Sequence, residues 1–175
     1  MEYISLSDKR KLFFYLEEEF KSSLAKTLIS VERYKYNCSL ILLAVDDLKN
    51  YSEPIKKNIL NNISDLILNH TRLIDMPFLI DNERFMIILS HTNKRGALSL
   101  AERLRMYVSR TEILCHGKKN FFTVSGSIVS LLEDHLLDEL ILMKSLEKAL
   151  FLARDKGGNY IYPYSPKILS IDNDN

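Results

Sequence analysis

A chain of 175 residues with 46% hydrophobic content is the size of one domain and buries about two-thirds of its unfolded surface in a single core. Its 24 basic and 23 acidic residues leave a formal charge of +1, which supplies no broad field for polyphosphates and argues against nonspecific nucleic-acid binding. The longest apolar run, residues 40–45, falls far short of a bilayer span, and charges within residues 1–12 stand where a signal peptide needs apolar side chains, so the expectation is a cytoplasmic, unprocessed protein without membrane insertion.

From residue 7 to residue 34, Leu12, Leu16, Phe20, Leu24, Leu28 and Val31 recur at three- and four-residue steps, while Glu17, Glu18, Lys21 and Lys26 take other faces. This predicts one long amphipathic helix, or two in series. Residues 39–45 form a short apolar run ending in Asp46-Asp47, a buried strand with polar residues at its carboxyl end. Pro54 is expected to interrupt regular structure before Ile55, Ile59, Ile63, Leu66 and Ile67 restore helical spacing, which fades near Asn69-His70. Residues 78–80 and 85–89 are apolar strands separated by a polar turn, the pattern of a β-hairpin.

Ala97, Leu100, Ala101, Leu104 and Val108 share one face of the next helix, and Arg103 projects to the side of that face, available to a ligand. Residues 121–129 supply another strand, with Gly126 inside it as an expected bulge. Leu146, Ala149, Leu150 and Ala153 mark a final helix stopped by Gly157-Gly158, followed by a short strand at 160–162 and a polar, frayed tail. The expected division is an N-terminal helical segment over 1–36, a domain over 37–163 and a flexible tail over 164–175. Cys38 and Cys115 lie among apolar residues and are too few for a disulfide framework or a zinc site, so they read as packed free thiols. His70, His91, His116 and His135 lack metal-ligand spacing, and Glu17-Glu18-Glu19 reads as a solvated helix face.

The order helix, strand, helix, hairpin, helix, strand, helix, strand resembles the GGDEF domain of diguanylate cyclases. Residues 40–49 resemble the strand ending in Asp-x-Asp-x-Phe-Lys, and residues 97–105 the helix containing Ala-Glu-Arg-Leu-Arg. Thr123-Val124-Ser125 resembles the Thr-Val-Ser-Ile-Gly strand, and residues 149–159 resemble Ala-Leu-Tyr-x-Ala-Lys-x-x-Gly-Arg-Asn. The resemblance implies an α/β (α+β) fold with a central, mainly antiparallel sheet flanked by helices and preceded by a long N-terminal helix. Active members condense two GTP molecules into cyclic di-GMP across a homodimer, with metal ions held by two carboxylates.

Carried onto this sequence, the resemblance implies a broken catalytic site. The first metal carboxylate is Ala44; Asp46 and Lys49 keep the second Asp and the Lys of the strand motif. The signature reads Asp81-Asn82-Glu83-Arg84-Phe85, so both glycines carry side chains and only Glu83 remains as a metal carboxylate. The guanine-recognising Asn and Asp become Ser52 and Lys57, the phosphate-binding Lys becomes Arg154, and the Arg after it becomes Gly158. Many such domains carry a second, inhibitory site in which Arg-x-x-Asp and an Arg on the next helix bind cyclic di-GMP; here these are Arg72, Asp75 and Arg103. An arginine fork suits a phosphate or the guanine O6/N7 edge, and a carboxylate accepts from guanine N1–H and N2–H. Against this stands a plain surface ion pair worth at most about 1 kcal/mol, with the motif a relic.

The expectation is therefore a catalytically inactive receptor for cyclic di-GMP, with no catalytic residues and no cofactor, signalling through an unidentified protein partner and compatible with a homodimer. The alternatives are a nucleotide-independent interaction scaffold, and a weak cyclase in which Asp46 and Glu83 recruit Mg²⁺.

Overall fold

The computed structural model describes residues 17–166 other than Asn82 and His116, so Leu12 and Leu16 of the first apolar stripe, and the chain after Pro166, lie outside the described residues. Helix α1 (Glu17–Tyr34) leads into strand β1 (Cys38–Val45), a 3₁₀ turn (Leu48–Asn50) and helix α2 (Glu53–His70). A hairpin of β2 (Met76–Ile80) and β3 (Arg84–Ser90) follows, then α3 (Lys94–Arg110) and a small hairpin of β4 (Ile113–Cys115) and β5 (Lys118–Asn120). Strand β6 (Val124–Ser130), helix α4 (Glu139–Asp155) and strand β7 (Ile161–Pro163) complete the described chain.

Five strands form one sheet in the order β2-β3-β1-β6-β7, antiparallel except for the parallel pair β6/β7. Every residue of the central strand β1 is buried, because alternate side chains feed two separate cores. Ile41, Leu43 and Val45 face α2 and α3, meeting Ile59, Ile63, Ile67, Ala97, Ala101 and Leu104. Leu40, Leu42 and Ala44 face α1 and α4, meeting Leu24, Val31, Leu142, Leu146 and Ala149. A strand covered on both faces shows a continuous apolar run instead of alternation, which is how it reads in the sequence. The fold is thus the α+β arrangement expected: a mainly antiparallel sheet flanked by helices, with a helix before it.

Four local expectations differ from the structure. Pro54 does not interrupt regular structure; it occupies the first turn of α2, where its missing N–H has no partner to lose. The strand expected from residue 121 begins at Val124, and the β4/β5 hairpin before it was not anticipated, since β5 is the exposed polar segment Lys118-Lys119-Asn120 with no apolar alternation to mark it. Gly126 is not a bulge. It pairs in register with Leu43 on β1 and with Ile161 on β7, and a Cβ there would lie 2.5 Å from Leu43 Cδ2 and 2.9 Å from the Leu42 carbonyl oxygen. Glycine is needed because a neighbouring backbone approaches too closely for any side chain. Gly126→Val is expected to cost about 3 kcal/mol or more through overpacking, read as a lowered midpoint in urea or thermal unfolding; an unchanged midpoint would contradict this packing.

Gly157 and Gly158 adopt positive φ of 99° and 76° directly after α4 and end it as expected. Beyond β7, Tyr164 is buried and donates its backbone N–H to Ile128 O at 2.8 Å, continuing the chain against β6. Cys38 and Cys115 are buried free thiols. Burial, with the Asp75 carboxylate adding to it, pushes the Cys38 thiol up to about 12, so it remains protonated and inert.

Candidate functional sites

Strand β1 delivers Asp46 and Asp47 to its carboxyl end, where Asp47 takes a positive φ of 55° and turns the chain into the 3₁₀ turn. A cleft of about 250 Å³ opens there, lined by residues 45–49 together with Glu83, Arg154, Gly157 and Gly158. The structure therefore gathers Asp46, Lys49, Glu83 and Arg154 around one space. Ala44 lies beneath it, fully buried in the apolar core under α1 and α4. Phe85 is likewise core, Asp81 is exposed at the hairpin turn, and Ser52 and Lys57 are exposed near the start of α2.

Asp46 is committed to the protein. Its Oδ2 accepts from Thr123 Oγ1 at 2.6 Å and from the Asn159 backbone N–H at 2.9 Å, and its Oδ1 accepts from Ser125 Oγ at 2.8 Å. One carboxylate thus pins the start of β6 to the turn between α4 and β7. Gly158 completes the pin, since a Cβ there would sit 3.2 Å from Asp46 Oδ2 on a residue with φ of 76°. An arginine at that position would be strained.

The hairpin turn carries its own ion network. Arg84 Nε donates to Asp81 Oδ2 at 2.6 Å, and a second guanidinium nitrogen pairs with Glu147 on α4. The Asp81 hydrogen bond, opposed by burial and helped by Glu147, holds the Arg84 pKa above its ordinary value. Arg84 stands opposite Ala44 in the β1/β3 register, so it shares a face with that methyl group. The guanidinium is thus held between two carboxylates, one in the hairpin turn and one on α4. Asp81 takes a left-handed φ of 48°, a conformation glycine adopts freely and Asp tolerates. Among the described residues no group of three His, Cys, Asp or Glu side chains could hold a metal ion.

A second cavity, of about 200 Å³, lies between the end of α2 and the side of α3. It is lined by Arg72, Asp75 and Arg103, with His70, Ser99 and Leu100 beside them. Asp75 is buried, and its Oδ2 accepts the Arg72 backbone N–H at 2.8 Å while its own N–H donates to Arg72 O at 3.1 Å. This three-residue turn fixes the carboxylate and leaves the Arg72 side chain exposed. Arg103 is exposed on α3, with Nη2 donating to His70 O at 3.3 Å across the end of α2. The three side chains singled out by sequence meet at one opening.

In the sequence His70 is one of four scattered histidines without metal-ligand spacing. In the structure it is half-buried at this cavity, its Nδ1 2.8 Å from Leu66 O and its ring 4.2 Å from that of Tyr107. The signal available beforehand was spacing: Tyr107 follows Arg103 by one helical turn, and His70 precedes Arg72 by two residues.

Residues 15–160 match the family model described as diguanylate cyclase, GGDEF domain. The chain is 27% identical over 139 residues to diguanylate cyclase A of Treponema denticola, covering 77% of this chain and 37% of that protein. It is 26% identical over 129 residues to the response regulator PleD of Caulobacter vibrioides, covering 70% and 28%. The chain thus spans about a third of the length of these relatives. Among solved structures, the GGDEF domain of the Pseudomonas aeruginosa protein TpbB or YfiN matches with a TM-score of 0.81 at 15% identity, covering 90% of this chain and 94% of that one. The GGDEF domain of DgcB from Caulobacter crescentus, solved in complex with cyclic di-GMP, matches with a TM-score of 0.76 at 15% identity, covering 86% and 90%. These two likenesses concern the fold alone, whereas the family model spans most of the sequence, and on that match the chain belongs to the GGDEF family.

Proposed function

We propose that this GGDEF domain is a receptor for cyclic di-GMP that has lost cyclase activity. The observation that carries the reading is the convergence of Arg72, Asp75 and Arg103 on one cavity, about the end of α2. Two exposed guanidiniums beside one fixed, buried carboxylate offer charge-assisted forks to phosphate and guanine O6/N7, and an acceptor to guanine N1–H and N2–H. Binding at this place biases whatever the end of α2 and the flank of α3 touch, which is how a partner protein would read the ligand.

Loss of catalysis is supported at the other cleft. Two-metal phosphoryl chemistry requires carboxylates on both ions. Here Ala44 offers none and Asp46 spends both oxygens on Thr123, Ser125 and Asn159, which leaves Glu83 and the adjacent Asp47 as the other acids lining the cleft. Were an ion to enter, Asp46, Asp47 and Glu83 would be the carboxylates lining its space, and Asp46 would first have to release its donors.

Isothermal titration with cyclic di-GMP and with GTP tests the reading, alongside incubation of the same sample with GTP and Mg²⁺ or Mn²⁺. The expected result is saturable cyclic di-GMP binding and no cyclic di-GMP formed from GTP. Silence from both ligands would favour a pure interaction scaffold. Turnover of GTP that disappears in Glu83→Ala would make the protein an enzyme.

A further inference from the structure

We infer that a second copy of this chain docks head to tail on the flank of α3 beside the Arg72–Asp75–Arg103 cavity, presenting the start of its own α4. The two surfaces are opposite in charge and both apolar at their centres. The inference stands apart from the receptor reading.

Helical spacing builds the receiving surface. At 3.6 residues per turn, Met106, Tyr107 and Arg110 fall within about 60° of Arg103, away from the face that carries Ala97, Ala101 and Leu104 into the core. Met106, Tyr107 and Arg110 are all exposed. The turn after α2 extends this surface, since the Tyr107 ring lies 4.2 Å from that of His70 and Arg103 bonds the His70 carbonyl. That turn carries Leu73, 65% exposed, and Ile74 beside it. Four large apolar side chains thus share one end of the molecule with three arginines. The acids close to them in sequence are engaged: Asp75 closes its own turn, Glu102 pairs with Arg105, and Glu112 pairs with Lys119. The surface is left net positive.

The presented surface is residues 138–141, which read Asp-Glu-Leu-Ile and are all exposed, Leu140 by 64%. Asp138 caps α4 by accepting from the Ile141 N–H at 2.9 Å, which fixes the segment's conformation. Leu142 and Leu146 supply the buried side of the helix, so Leu140 and Ile141 add nothing to this chain's own core. Lys144, exposed one turn on, marks where the acidic character ends.

These surfaces do not meet within one chain. Helix α3 covers one face of the sheet and α4 the other. The loop before α4 touches α3 at its start, where Lys94 bonds Glu133 and Asp134. Arg110 lies about 24 Å further along α3 at 1.5 Å per residue. A contact between two different surfaces does not close on itself, so copies add end to end. An anionic membrane would also draw the arginines, but it offers no match for the acidic, apolar start of α4.

The test is sedimentation velocity of the whole chain from about 1 µM to about 1 mM, at about 50 mM and about 500 mM salt. Wild type, Arg110→Glu and Glu139→Lys are run alone and the two variants are run mixed, with circular dichroism and thermal unfolding to show that both keep the fold. As wild type is concentrated its mass should climb past that of a dimer, with association about tenfold weaker at the higher salt. Each variant alone should associate about tenfold or more weakly, because one half of its contact now repels the other. Mixed, the variants should recover a one-to-one pair, built from the unchanged basic surface of Glu139→Lys and the unchanged acidic surface of Arg110→Glu. A wild type that stays monomeric throughout overturns the inference, and if it then sediments with vesicles of phosphatidylcholine and phosphatidylglycerol the surface serves a membrane instead. Association indifferent to both reversals, or a mixture no better associated than its parts, equally overturns it.

Discussion

Arg72→Ala is expected to weaken cyclic di-GMP binding by about tenfold to a hundredfold, and Arg103→Ala by a similar factor, with thermal stability nearly unchanged. The size follows from hydrogen bonds to charged groups, each worth about 1.5–3 kcal/mol when its partner remains in place. Neither side chain is part of the packed core: both are exposed, and the bond from Arg103 to the His70 carbonyl is 3.3 Å long. Binding and stability should therefore separate cleanly, which they would not for Asp75, whose carboxylate also closes its own turn. Arg72→Lys adds a finer reading. A lysine keeps the charge but not the planar fork, so an intermediate affinity indicates bidentate recognition, and full affinity indicates charge alone. Calorimetry that finds both alanine variants binding as tightly as wild type would remove this cavity as the ligand site.

The elements that position this cavity were legible because their patterns are periodic. Ile59, Ile63 and Ile67 on α2, and Ala97, Ala101 and Leu104 on α3, lie at helical spacing and face one core, which is what brings the end of one helix beside the flank of the other. Arg103 was readable as lateral to that face, and it is exposed. What escaped the sequence was contact between distant positions. Arg84 and Glu147 are separated by 63 residues, and no local pattern announces their pairing across β3 and α4. The same holds for Asp46, whose donors Thr123, Ser125 and Asn159 come from far along the chain. Read locally, Asp46-Asp47 is a pair of acids at a strand end, solvated or turn-capping. Only the sheet order, which lays β6 beside β1, turns one of them into a structural pin. Gly126 misleads for a related reason, because a glycine inside a strand signals either a bulge or a close approach, and the residues that decide between them, Leu42 and Leu43 on β1, lie more than 80 positions away in the chain.

Asp46→Ala is expected to lower stability by about 3 kcal/mol, or roughly 6–12 °C in Tm for a domain of this size, without any dependence on added Mg²⁺. Three donors lose their acceptor at once: two hydroxyls on the strand entering the sheet and one backbone N–H in the turn leaving α4. Each of these bonds is to a charged oxygen, and the half-buried setting limits how well water replaces it. Asp46→Asn should recover part of the loss, because its carbonyl oxygen still accepts while its amide cannot. A metal ligand behaves in the opposite way: its removal relieves repulsion in the metal-free protein and abolishes stabilisation by the ion. Thermal unfolding of wild type and Asp46→Ala with and without Mg²⁺ or Mn²⁺ therefore separates the two roles. A wild type stabilised by either ion, with that gain absent from an otherwise equally stable Asp46→Ala, would restore Asp46 to metal chemistry and reopen the cyclase reading. A large drop indifferent to either ion would mean that the carboxylate's bonds within the protein, to β6 and to the turn after α4, are its whole contribution.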